Sequence, residues 1–334
     1  MTSADIKPVE FLPGVPDWST VDQPIGELFT PIEDKSAWSD FLLSDQQVAQ
    51  FWKDGFLSNI RLLSEEQCDR IIADYKYFIG SDEKHPGMEM MYEYSSNQSG
   101  DPDNVLMHGL GQWRLTKLFH DLIFLPQAVV PASQLLDESR QGVPVRLWHD
   151  QMFAKPPNHG GVVAWHQDYS YWTRTKPMMH LTIHIALDEQ TADNGPLLYI
   201  PGSHRWNRNG NPLPVTDFNF YDMESIQTVL TEEEKAQFKP ISSDLKKGCA
   251  SFHHPLSVHG SYGNRSDRPR RATVLNYFAD GVLSNTDDEQ LKGITIPKVR
   301  LVFFLMTVER TYLILATLYQ FISTFIYRPR WRCG

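Results

Sequence analysis

The chain has 334 residues, 41% hydrophobic and 22% charged, a globular composition with enough aromatic side chains to fill an interior and no low-complexity block. Its formal net charge of -10 has the wrong sign for a surface that must displace counterions from a phosphate backbone, so nucleic acid is not an expected partner. Three widely separated cysteines, Cys68, Cys249 and Cys333, offer neither a disulfide framework nor a paired zinc motif.

Residues 1–40 are Pro-rich and acidic and read as an extended arm lying across a core. They lack the basic region and apolar run of a secretory signal, and Arg332-Cys333-Gly334 matches neither a peroxisomal nor a prenylation signal. A cytoplasmic location is the expectation. Ser44-Asp45-Gln46-Gln47 opens a helix through Trp52 that Gly55 closes, and Ser64-Glu65-Glu66-Gln67 is a capping-box pattern before a second helix ending near Gly80. Further helices are predicted around Leu115–Leu122 and, with a proline in its first turn, Pro126–Glu138. No strand pattern precedes Gly142.

After Gly142 the texture turns to strands. PVRLWHDQMFA, GVVAWHQDY, MMHLTIHIAL, PLLYIPGSH, ASFHHPLSVHGS and RRATVLNYFA alternate or run apolar between turn clusters, and only TEEEKAQF interrupts them with helix. The expected fold is α+β: a double-stranded β-helix, that is a jelly roll or cupin-like barrel, with helices packed outside, mainly from the N-terminal part. The chain divides into the arm at 1–40, the barrel domain with its helical layer at 41–298, and an apolar segment at 299–334. Within that segment Leu301–Tyr327 is broken by Glu309 and Arg310, which leaves it short of the ~20 apolar residues of a spanning helix. It reads as a packed or atypical terminus in preference to a membrane contact.

His166-Gln167-Asp168 is the strongest chemical motif. Alternate residues of a strand share a face, so HxD in a strand can offer an imidazole and a carboxylate to one ion. Two histidines and one carboxylate on one face of an octahedral metal leave three positions open for chemistry, the pattern of non-haem iron(II) oxygenases. The third ligand must come from a strand remote in sequence. His253 and His254 precede Pro255, whereas His259 opens Gly260-Ser261 after an apolar stretch and is preferred. His180, His184 and His204 read as structural or pocket-lining. A dicarboxylate that chelates the metal leaves its far carboxylate in need of a forked cation. Arg270 and Arg271 both qualify, and strand alternation lets only one face inward.

Residues 145–277 resemble the phytanoyl-CoA dioxygenase family, on the strength of Asp150-Gln151 with Lys155, WHQD at 165–168, NGPLLYIPGSHRW at 194–206 and HGSYGNRSDRPRR at 259–271. The resemblance implies that iron(II) is held by His166, Asp168 and His259. It implies that Arg270 binds the far carboxylate of the cosubstrate 2-oxoglutarate, helped by Gln151, Trp172 and Ser261. The intact Asp168 points to hydroxylation rather than halogenation. PGSHRW is assigned to architecture, with Pro201-Gly202 as a turn and Ser203 tying off a strand end. The implied reaction uses O2, releases succinate and CO2, and hydroxylates a small organic molecule. Met152, Lys155, Tyr169, Tyr171 and Arg174 are the candidate pocket residues. A non-catalytic metal-binding jelly roll and a protein-directed hydroxylase are the alternatives.

Overall fold

The computed structural model describes residues 16–75, 78, 87–139, 142–206, 208–209, 211–214, 222–284 and 305–306. Four strands come first: β1 (Phe56–Arg61), β2 (Glu93–Ser95), β3 (Met107–Leu110) and the long β4 (Val145–Lys155). Next are β5 (Val163–His166), β6 (Thr175–Lys176), β7 (His180–Ala186) and β8 (Leu197–Tyr199). The series ends with β9 (Ile241–Ser243), β10 (Cys249–His253), β11 (His259–Ser261), β12 (Arg270–Ala279), β13 (Leu283–Ser284) and β14 (Leu305–Met306).

The larger sheet runs β1-β10-β7-β12-β4-β3-β2 with β14 also on β4, and the smaller runs β5-β11-β8-β9. From β4 onward the chain passes back and forth between the two, β4 to β5, β7 to β8, β10 to β11 to β12. This winding is the double-stranded β-helix, and it places β11 beside β5 although a large part of the chain separates them. β7 is buried along its whole length because β10 and β12 flank it and α4 (Pro126–Leu135) packs against it. Its apolar run HLTIHIA therefore shows no alternation.

The helices form where the sequence supplies ends for them. In α1 (Asp45–Asp54), Ser44 and Gln47 make a reciprocal capping box, and Gly55 stops the helix in the left-handed region at φ 84°. α2 is described over Glu65–Tyr75, and Gly80, near which its end was expected, lies outside the described residues. α3 (Lys117–Leu122) is capped by Thr116, and α4 starts on Pro126 but stops at Leu135, short of the expected Glu138. α5 (Tyr169–Trp172) is a single turn, and α6 (Glu232–Gln237) has a capping box between Thr231 and Glu234.

The expectation of no strand before Gly142 is corrected, since β1, β2 and β3 all precede it. Each is short, and β1 carries a register shift between Leu57 and Ile60 with Asn59 at φ 65°, which erases the period-two signal. Near the N-terminus, Asp121 of α3 accepts the backbone N–H groups of Glu27 and Leu28 at 2.6 and 2.8 Å, and Arg114 pairs with Asp17. The C-terminal segment at 299–334 lies outside the described residues except for β14. Among the described residues no helix is long and apolar enough to cross a membrane.

Candidate active site

His166 ends β5 and His259 begins β11, and the two stand directly opposite each other in the antiparallel pairing. Their rings lie 4.3 Å apart, centroid to centroid. Asp168 is delivered differently from the strand alternation expected of HxD: β5 stops at His166, and Asp168 sits in helical conformation (φ -57°, ψ -39°) at the head of α5. The turn still brings its carboxylate into register, with Oδ1 3.6 Å from both His166 Nε2 and His259 Nε2. One donor atom from each of the three residues falls within 4.8 Å of the other two, a spacing that one metal ion can fill.

Both imidazoles have their tautomer fixed from behind. His166 Nδ1 donates to Ala164 O at 2.8 Å and His259 Nδ1 to Ser257 O at 3.0 Å, which leaves each Nε2 lone pair for a metal. Asp168 is held as firmly. Its Oδ2 accepts from Thr182 Oγ1 at 2.6 Å and from His253 Nε2 at 2.9 Å, so Oδ1 is the oxygen directed between the two imidazoles. Burial by itself would raise the Asp168 carboxyl, yet His259, His166 and His253 around it hold it well below the usual carboxylate range. Burial, with His166 and His253 beside it, pushes His259 well below the ordinary histidine value, so it is a neutral imidazole suited to ligation.

This cluster opens into a cavity of about 400 Å³. Arg270, 2% exposed, lines it from β12, and its Nε and Nη2 have no hydrogen-bond partner among the described residues. A buried guanidinium with bare donors is costly unless an anion completes it, and the fork matches a carboxylate. Arg271, one residue on, faces outward and makes a two-pronged pair with Asp188, Nε to Oδ2 at 2.7 Å and Nη2 to Oδ1 at 2.8 Å. Alternation along β12 thus separates the two arginines as expected, with Arg270 inside.

Gln151, Trp172 and Ser261 also line the cavity. Gln151 Oε1 is 3.0 Å from His108 Nε2, whose other nitrogen reaches Glu93 at 3.2 Å. Ser261 Oγ is taken up by the Lys155 ammonium and by Gly195 O at 3.1 Å. Of the candidate pocket residues, Tyr171 and Arg174 line the cavity. Met152, Lys155 and Tyr169 are corrected. Met152 lies on the opposite face of β4 in the core, Tyr169 donates to Thr175 O at 2.8 Å, and Lys155 spends its ammonium on Ser261 and on Tyr262 O at 2.6 Å. His204 bonds Trp52 O at 3.1 Å and Arg205 pairs with Glu138, both away from the cavity, while Ser203 accepts Val258 N at 2.8 Å just before His259. His149, Phe153 and Thr182 line the site as well and were not foreseen, and His184, read from sequence as structural or pocket-lining, lines it too. His149 and Phe153 follow from Gln151 by strand period, and His184 pairs with Val274 of β12, a register that needs the fold.

A jelly roll carrying a His-Asp-His cluster beside an unpaired buried arginine defines a protein of the non-haem iron, 2-oxoglutarate-dependent class. Residues 51–272, well over half of the chain, match the phytanoyl-CoA dioxygenase (PhyH) family, and the chain belongs to that family of iron(II)- and 2-oxoglutarate-dependent oxygenases. It is 23% identical to the peroxisomal phytanoyl-CoA dioxygenase of Rattus norvegicus over 75% of this chain and 72% of that one. Similarity to the L-proline trans-4-hydroxylase of Streptomyces griseoviridis reaches 28% over 53% of this chain and 71% of that one. Among solved structures, a nogalamycin-biosynthesis epimerase in complex with Fe3+, alpha ketoglutarate and nogalamycin RO superposes with a TM-score of 0.56 at 18% identity. That superposition covers 76% of this chain and 88% of the epimerase, and shows a shared fold.

Proposed function

We propose that His166, Asp168 and His259 hold iron(II), that Arg270 holds 2-oxoglutarate by its far carboxylate, and that the chain hydroxylates a small organic molecule in the cavity above them. The observation that carries this is the pairing of a tautomer-fixed ligand cluster with an unpartnered buried guanidinium on the wall of one cavity. Iron(II) with bound 2-oxoglutarate supplies the O2-dependent oxidation, in which the cosubstrate leaves as succinate and CO2 and a substrate carbon gains a hydroxyl. The protein's own part is to place and to exclude.

His253 and Thr182 hold Asp168 so that one oxygen faces the metal position, and Ala164 and Ser257 hold the imidazoles. Gln151, Trp172 and Ser261 flank the cosubstrate, Ser261 steadied by Lys155. The oxygenase domain occupies 41–298, and the family match falls within it. A cavity of about 400 Å³ has the size of a small-molecule site and lies inside the barrel, which favours a metabolite over a peptide side chain. The test is a metabolite screen with iron(II), 2-oxoglutarate and O2 that follows succinate release together with a product heavier by one oxygen. Coupled turnover of a small molecule is expected. Turnover with peptides alone would overturn the substrate class.

A further inference from the structure

His149 is 2% exposed and lines the cavity two positions before Gln151 on β4. Its Nδ1 lies 3.2 Å from the Asn276 carboxamide nitrogen, while its Nε2 has no hydrogen-bond partner among the described residues. The ring faces Trp172 edge-on, centroids 5.8 Å apart. A buried polar atom of this kind on a cavity wall is one that a ligand is expected to complete.

Which role Nε2 plays follows from counting protons along the chain Asp168, Thr182, Asn276, His149. Thr182 Oγ1 stands 2.6 Å from Asp168 Oδ2 and 2.9 Å from the Asn276 carboxamide. A carboxylate offered to a metal can only accept, so the single Thr182 proton goes to Asp168. The threonine oxygen is then only an acceptor towards Asn276. As placed, Asn276 Oδ1 faces Thr182 and Nδ2 faces His149. The two ends of a carboxamide are alike in shape and are told apart by the network, and here the network requires the group to be turned over so that the amide N–H faces Thr182. The amide oxygen is turned to His149, Nδ1 must carry the imidazole proton, and Nε2 is left as a bare acceptor. Burial pushes His149 down to about 3, which keeps the ring neutral and the lone pair available.

We infer that His149 Nε2 is a specificity-determining atom that accepts a hydrogen bond from an N–H or O–H group of the substrate. Resting on the oxygenase reading above, this adds that the enzyme selects small molecules carrying an amine or hydroxyl donor at this wall. A group that can only accept, such as an ether or a carboxylate, would set lone pair against lone pair there and be rejected.

The test uses the full chain loaded with zinc(II) in place of iron(II) and with 2-oxoglutarate, its histidine nitrogens isotope-labelled and His149 assigned by its loss in His149→Phe. Long-range proton–nitrogen correlation reads the tautomer, with or without metal bound. Two probe pairs are then titrated: trimethylammonium against tetramethylammonium, and tert-butanol against its methyl ether. Expected are a proton on Nδ1 and a saturable shift of Nε2 with the donor member of one pair, absent with its methylated partner. The pair that responds tells an amine from a hydroxyl. A proton on Nε2, or both pairs acting alike, overturns the inference. Absence of an absorption band when the same protein is loaded anaerobically with iron(II) and 2-oxoglutarate instead of zinc(II) counts against the oxygenase reading, so the two failures are distinguishable.

Discussion

Replacing Arg270 with Met removes a guanidinium whose Nε and Nη2 have no partner among the described residues and are available to one carboxylate. A hydrogen bond to a charged group contributes ~1.5–3 kcal/mol, so losing two raises the 2-oxoglutarate requirement by at least ~100-fold. Arg271→Met is the matched control on the outer face, where the guanidinium serves Asp188. It should change the 2-oxoglutarate requirement by less than about threefold, ~0.7 kcal/mol, while costing stability because Asp188 loses its partner. Without cosubstrate, the Arg270 cation is a burden on the fold, and burial pushes it down to about 10. The thermal midpoint of Arg270→Met measured without cosubstrate should therefore be at or above that of Arg271→Met, and 2-oxoglutarate should raise the midpoint of the wild type and of Arg271→Met only. The assays are anaerobic binding of 2-oxoglutarate to the iron(II) protein and thermal unfolding with and without it. A change under threefold in Arg270→Met, or a larger one in Arg271→Met, would refute the assignment.

Other outcomes follow from neighbouring groups. Burial pushes His180 from 6.5 down to about 3, so between those pH values the unfolded chain binds a proton that the native one refuses. Stability should fall as pH drops from 6.5 towards 3, and His180→Gln should flatten that slope by up to ~1.4 kcal/mol per pH unit in denaturant titrations, with no effect above 6.5. An unchanged slope would show that the ring is not held neutral. Gly195 has φ 77°, and a Cβ there would meet Tyr262 O. Its carbonyl also accepts Ser261 Oγ. Gly195→Ala should cost clearly more than ~1 kcal/mol and weaken 2-oxoglutarate binding, whereas Gly202→Ala, with positive φ but open space around it, should cost only about 1 kcal/mol. Equal costs at both positions would mean that the backbone contact is not felt.

The candidate ligand cluster was legible because the chemistry restricts it: HxD followed far downstream by His-Gly-Ser at a strand start has few other uses, and β5 and β11 do put His166 opposite His259. The means of presenting Asp168 was not legible, since nothing in WHQDY says that the strand stops at His166 and a helical turn takes over. Arg270 and Arg271 could not be separated by position alone, because alternation gives opposite faces without saying which is inward; the Asp188 pair on the outer side decides it. Lys155 was a candidate pocket residue because it lies at the end of a strand that carries a site residue, and only the fold shows its side-chain nitrogen bound to Ser261 and Tyr262. The polar residues behind the ligands, Thr182, His253 and Asn276, come from three strands whose register sequence does not display.

The measurement that bears most directly on the account is anaerobic titration of the full chain with iron(II) and 2-oxoglutarate, followed by visible absorption. A weak charge-transfer band should grow to stoichiometric saturation only when both are present, and should be missing in Asp168→Ala and His259→Ala variants that keep the wild-type circular dichroism. No band in the wild type, or a band that survives loss of either side chain, would contradict the claim that these residues hold the metal against which the cosubstrate is bound.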